Sequence, residues 1–192
     1  RPNDRWIAGE YERALDDFTR AIGMMPSNPA LYEYRGVAKT NLNEYAEAIA
    51  DYDIAVRLDP DNADLIFYRA NAKGNIADYR GAIADYNKAT SLNPRNAEAY
   101  LYRANAESNL KDYDAAIGDF KKAIAINPKL PNAYKYLASA LSKTGDKNAA
   151  GFFSDAIKRN PDNAEIYIYD GILKSNMNDQ AAALADFPRS IA

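Results

Sequence analysis

"FYRANAKGNIADYRGAIADYNKATSLNP", residues 67–94, returns 34 positions later as "LYRANAESNLKDYDAAIGDFKKAIAINP", residues 101–128. A chain that repeats itself at a fixed period of this length is an array of small units, and the period decides the fold. The prolines keep the same time: Pro26, Pro60, Pro94 and Pro128 are spaced by 34, and Pro161 follows after 33. Behind four of them stands a polar pair ending in asparagine: Ser27-Asn28, Asp61-Asn62, Arg95-Asn96 and Asp162-Asn163. Lys129-Leu130 is the exception. Asparagine there predicts a helix N-cap, and Pro29 and Pro131 suit a first helical position, where a missing N–H costs nothing.

Each repeat carries two helical patterns, such as Ala63 to about Ile76 and about Arg80 to Leu92, joined by the short turns "NLNEY", "NIADY" and "NLKDY". In the second pattern Ala48, Tyr52, Ala55 and Val56 become Ala82, Tyr86, Ala89 and Thr90, then Ala116, Phe120, Ala123 and Ile124. That is a one-faced stripe at helical period. Helices of about 13 residues are marginal alone in water, so each stripe must be buried against its neighbours.

Taken together, these features resemble the tetratricopeptide repeat. The residues carrying the resemblance are Ala14/Phe18/Pro26, Ala48/Tyr52/Pro60, Ala82/Tyr86/Pro94, Ala116/Phe120/Pro128 and Ala149/Phe153/Pro161. The turn tyrosines Tyr11, Tyr45, Tyr79 and Tyr113 fit as well, as do the small residues Gly36, Ala70, Ala104, Ala138 and Gly171. The resemblance implies an all-α fold, a right-handed α-α superhelix (solenoid) of stacked helix-turn-helix repeats. Its divisions are a residual N-terminal segment (1–9), a second helix of a first repeat (10–25), and repeats at 29–62, 63–96, 97–130, 131–163 and 164–192. The phase of the prolines and the acidity speak against the RNA-reading pentatricopeptide repeat. The fifth repeat is one residue short and carries Gly151 in its second helix, which predicts a changed stacking angle. Pro188 is predicted to kink the last helix at about 3 kcal/mol. The array reads as cut from a longer one, or as packing its end on another molecule.

Three arginines, Arg35, Arg69 and Arg103, stand on first helices where this repeat usually places leucine. The matching second helices carry Asp51, Asp85 and Asp119. In the fifth repeat both change together, to Leu137 and Phe152. The joint change predicts a structural charge pair within each repeat, and Asp170 facing Asp186 in the sixth.

The resemblance also implies a ligand groove lined by first helices. Across the repeats one column reads Asn41, Asn75, Asn109, Lys143, Asn176, and another Val37, Asn71, Asn105, Ser139, Ile172. A third reads Glu33, Phe67, Leu101, Lys135, Ile168, flanked by Tyr34, Tyr68, Tyr102, Tyr136 and Tyr169. An amide offers donor and acceptor together and can hold a peptide backbone; tyrosines give broad contact at low entropic cost. The candidate peptide-binding residues are therefore Asn71, Asn75, Asn105, Asn109, Phe67 and Leu101, with Tyr68 and Tyr102 beside them. The tyrosines have a second reading, as packing between adjacent first helices. The Lys/Arg/Asn clamp with which some such proteins hold a C-terminal carboxylate is not supplied at the corresponding positions, such as Glu33, Val37, Tyr68, Glu98 and Tyr102.

Other chemistry is poorly served. With no His and no Cys among 192 residues, cysteine-ligated zinc, thiolate nucleophiles and ordinary triads are absent. "DPDNAD", residues 59–64, lacks the glycine and distal glutamate of a calcium loop. A net charge of −3 does not suit a phosphate backbone, and no apolar run spans a bilayer. The chain is read as no enzyme, with no metal or cofactor, no nucleic-acid partner and no membrane insertion. Its partner is a protein or peptide, held as an extended peptide or a partner helix in the concave groove, with self-assembly through the array ends, or service as one module of a larger protein, as the alternatives.

Overall fold

The computed structural model describes residues 2–146 and 149–176. They hold ten helices: α1 (Pro2–Met24), α2 (Pro29–Asn41), α3 (Tyr45–Leu58), α4 (Ala63–Asn75), α5 (Tyr79–Leu92), α6 (Ala97–Asn109), α7 (Tyr113–Ile126), α8 (Ala133–Thr144), α9 (Ala149–Arg159) and α10 (Ala164–Asn176). No strand occurs among the described residues. The fold is an all-α helical repeat solenoid. It divides into an N-terminal unit ending at Arg95 and a C-terminal unit beginning at Asn96.

Caps set the helix starts. Asn28 Oδ1 accepts from Ala30 N at 3.1 Å, and Asn62 Oδ1 from Asp64 N and Leu65 N at 3.1 and 3.3 Å. Asn96 accepts from Ala99 N, and Asn163 from Glu165 N, both at 3.0 Å. Pro29 opens α2. Pro131 does not open α8. The cap position before it is Leu130, which is buried and has no acceptor to offer, so α8 starts only at Ala133 after a left-handed Asn132 (φ 61°). At the other end, each hairpin turn needs one left-handed residue. Asn43 (φ 64°), Ala77 (62°), Lys111 (65°) and Gly145 (67°) fill that place in successive repeats. Only Gly145 fills it without steric cost.

α1 differs from the sequence-based division. It is one helix from Pro2, so residues 2–9 continue it and form no separate segment; proline at the first helical position is compatible with that start.

The apolar stripes meet as the periodicity requires. In the N-terminal unit Tyr32, Ala55 and Leu65 close one cluster, with Ile22, Ile54 and Val56 against it, and Ala48, Tyr52 and Ala72 form another. A Cβ on Gly36 would stand 2.7 Å from the Tyr52 ring, so α2 and α3 approach as closely as glycine permits. In the C-terminal unit one cluster runs through Phe120, Tyr134, Leu137, Leu141, Phe153, Ile166 and Leu173. Pro188 and Asp186 lie outside the described residues; Asp170, 1% exposed, accepts from Lys174 Nζ at 2.8 Å.

Candidate functional site

The charged residues between paired helices form compact knots. Arg35 Nε and Nη2 donate to Asp51 at 2.9 and 2.5 Å, and Lys39 Nζ joins the same carboxylate at 2.7 Å. Arg69 Nε and Nη2 reach Asp85 at 2.8 and 2.6 Å, with Lys73 Nζ at 2.7 Å and Asp53 taking Nη1 at 2.9 Å. Arg103 donates to both oxygens of Asp119, through Nη2 at 2.7 Å and through Nε. These are bidentate, charge-assisted bonds. They lie partly buried between paired helices. The lysines escaped the sequence reading although their signal was present: Lys39 and Lys73 each follow the arginine by four residues, one helical turn. Glu107 takes that place in the next repeat, and there one half-buried acid meets another. Its Oε1 is 4.0 Å from Arg103 Nε, and its Oε2 has no hydrogen-bond partner among the described residues. Burial, then the charge of Asp119, pushes its pKa up to about 7, against the lowering pull of Arg103.

The asparagines divide their labour. Asn75, exposed on α4, turns its amide N–H back to the Asn71 carbonyl at 2.9 Å, and Asn109 does the same to Asn105 O at 2.8 Å. Both therefore present their side-chain oxygens outward as acceptors. Asn71 accepts the Tyr86 hydroxyl at 2.6 Å, which leaves its amide N–H groups as donors. Asn105 faces Phe120 in the place of Tyr86, and a phenyl ring has no hydroxyl to give. Asn105 and Asn109 line a recess of about 230 Å³ with Ser108, Tyr136, Ser139 and Lys143.

Phe67 and Leu101, expected on the ligand face, lie largely buried. They are 6% and 5% exposed, and Phe67 packs on the Tyr86 ring at 6.1 Å. Their column leans toward the second helix, and large apolar side chains there are drawn into the core. Tyr68 is in part a packing residue too. Tyr68 stacks on Tyr52 at 6.2 Å, and its column mates follow: Tyr34 lies 5.8 Å from Phe18 and Tyr136 lies 6.0 Å from Phe120. The partner in each case is the preceding repeat's second helix, where the sequence reading had adjacent first helices. Tyr102 keeps 42% of its surface exposed, and burial raises its hydroxyl pKa. Among the described residues no cluster of His, Cys, Asp or Glu could hold a metal ion, and no helix is long and apolar enough to cross a membrane.

Comparison with known proteins gives these features a family. No curated protein sequence matches the chain. Solved structures do. YrrB, described as a protein with an unusual peptide-binding site, is 20% identical over 91% of this chain and 90% of its own, with a TM-score of 0.69. A tetratricopeptide repeat protein of Parabacteroides merdae is 24% identical over 95% of this chain and 73% of its own, at 0.72. The first such domain of Spaghetti (RPAP3), solved with an HSP90 peptide, is 24% identical over 62% of this chain and 94% of its own, at 0.60. At these identities the likeness is one of fold. The sequence profile of the tetratricopeptide repeat matches residues 3–63 and 69–131, most of the described chain. The protein belongs to the tetratricopeptide repeat family.

Proposed function

We propose that this protein is an interaction module that binds an extended peptide on its first-helix faces and carries out no catalysis. One observation carries the reading: Asn105 and Asn109 border an open recess with Ser108, Ser139 and Lys143 around them. Asn105 can give and accept hydrogen bonds there, Asn109 Oδ1 can accept, and the two stand one helical turn apart. A peptide backbone, which alternates donor and acceptor, matches such a pair without its side chains being read. Lys143 takes the asparagine's place in the fifth repeat and favours an acidic side chain on the ligand. On α4 of the N-terminal unit, Asn71 and Asn75 supply a donor and an acceptor in the same way. Peptide binding by YrrB and by Spaghetti adds weight from the same fold.

The test is selection from a displayed random-peptide library against wild type and against Asn105→Ala/Asn109→Ala. Neither side chain supports the core, so the variant should keep the helical circular dichroism of the wild type. Enriched peptides should lose about tenfold or more in affinity, as for hydrogen bonds left unpaired, and acidic residues should be over-represented among them. Peptides that bind both proteins equally would exclude this face. Asn71→Ala is a poorer probe, because it also strips Tyr86 of its acceptor.

A further inference from the structure

The first helices of the C-terminal unit carry three different chemistries at equivalent positions. On α6 the recess is edged by the amides Asn105 and Asn109. On α8, one repeat further, the same places hold Ser139 and Lys143, and Lys135 stands one turn before Ser139. On α10 the places of Lys135 and Ser139 are taken by Ile168 and Ile172. An amide row, a cationic row and an aliphatic row thus follow one another.

The isoleucines are the departure. Ile166 and Leu173 of the same helix are fully buried, yet Ile168 and Ile172 keep 36% and 37% of their surface exposed, one helical turn apart. A single exposed apolar residue needs no explanation. This pair differs because of its place: Asn105 and Ser139, the two residues that precede Ile172 in its column, both line the recess. The cations belong to the same face. Lys143 is itself a wall of the recess, and Lys135 Nζ lies 5.9 Å from the ring centre of Tyr136, another wall. The acids of these helices stand elsewhere. Glu98 and Glu165 occupy first turns, Glu107 joins the Arg103 knot, and Asp170 is buried on Lys174.

Spacing turns these rows into a pattern on the ligand. α6, α8 and α10 pack in succession, and packed helices stand about 8–10 Å apart. An extended chain advances about 3.3 Å per residue, so about three or four residues separate neighbouring rows.

We infer, resting on the peptide-binding reading above, that the ligand is a polypeptide stretch with an acidic residue held by Lys135 or Lys143 and a large apolar residue three or four positions away, packed on Ile168 and Ile172. On the other side of the acid, the ligand's backbone lies along the α6 amides.

The test is a bead-bound peptide library, acetylated and attached through a C-terminal amide, with a fixed central glutamate and all other positions randomised. Blocked ends leave no terminal charge to serve in place of the side chain. Selection on the wild-type chain should enrich large apolar residues three or four positions from the glutamate, on one side only. Replacing that residue by serine in the best binder should cost about tenfold in affinity, as for an apolar side chain returned to water. On Ile168→Ser/Ile172→Ser the same replacement should cost less than about twofold. Should that variant lose helical circular dichroism, Ile172→Asn, which installs the residue of Asn71 and Asn105, makes the comparison instead. Lys135→Gln/Lys143→Gln should abolish the advantage of glutamate over glutamine and keep the apolar preference. Binders that depend on Asn105 and Asn109 but show no apolar preference, or keep it undiminished in the isoleucine variants, overturn this inference and leave the peptide-binding reading standing. A selection that yields no peptide sensitive to Asn105→Ala/Asn109→Ala overturns both.

Discussion

Replacing Glu107 by lysine should stabilise this protein at neutral pH and remove part of its pH dependence. In the two preceding repeats the same position carries Lys39 and Lys73, each 2.7 Å from the aspartate that the arginine also holds. Glu107 instead brings a second acid beside Asp119 and leaves Oε2 buried without a partner among the described residues. Its pKa is about 7 in the fold against 4.5 for the free group. At full strength that gap corresponds to about 3 kcal/mol. Water still reaches part of the side chain, so about 1–2 kcal/mol is the usable figure. The sign follows from proton binding: the folded state holds this proton more tightly than the unfolded one. Its contribution is therefore most favourable below about pH 4.5 and is lost as pH rises toward 7. Glu107→Lys lacks that slope and gains a Lys–Asp contact. Urea unfolding followed by circular dichroism at pH 4.5, 6 and 7.5 should show the variant ahead by about 1–2 kcal/mol at the highest pH, roughly 3–6 °C in Tm. The lead should shrink toward pH 4.5. Glu107→Gln should fall between the two, also without the slope. A constant difference across the pH range, or a lysine variant weaker at pH 7.5, refutes the reasoning.

Three further outcomes follow from the geometry. Ala77→Gly should raise stability by about 0.5–1 kcal/mol, since Ala77 sits at φ 62° where an L side chain is strained; a drop in the urea midpoint would count against the turn geometry. Asn62→Ala should cost about 1 kcal/mol through loss of the α4 cap, and thermal melts would detect it. Asp85→Phe alone should cost up to about 3–5 kcal/mol, because Lys73 then loses its carboxylate and Arg69 keeps only the more exposed Asp53. Adding Arg69→Leu and Lys73→Leu, the state of the fifth repeat, should recover at least half of that, and additive losses in the cycle would refute the coupling.

The period of the prolines, the asparagine caps and the helical stripe are local or strictly periodic features, so the hairpin architecture was legible from the chain alone. The arginine–aspartate pairing was also legible, because five copies in one chain let two positions vary together. Which side of a helix a residue finally serves is a different kind of fact. Phe67 and Leu101 occupy the same column as Lys135 and Ile168, yet they are buried while Ile168 keeps 36% of its surface exposed; helical phase places a side chain to within a sector, and the neighbour's bulk decides the rest. Tyr34, Tyr68 and Tyr136 stack on the preceding second helix because aromatic rings meet at distances that only packed helices set. Asn71 spends its acceptor on Tyr86 while Asn105 does not, a difference one repeat away that depends on a single hydroxyl in contact across the hairpin. The late start of α8 follows from Leu130 in a cap position, which the sequence displayed; that the buried Tyr134 hydroxyl then has no hydrogen-bond partner among the described residues depends on distances between helices, and those arise only when the chain has folded.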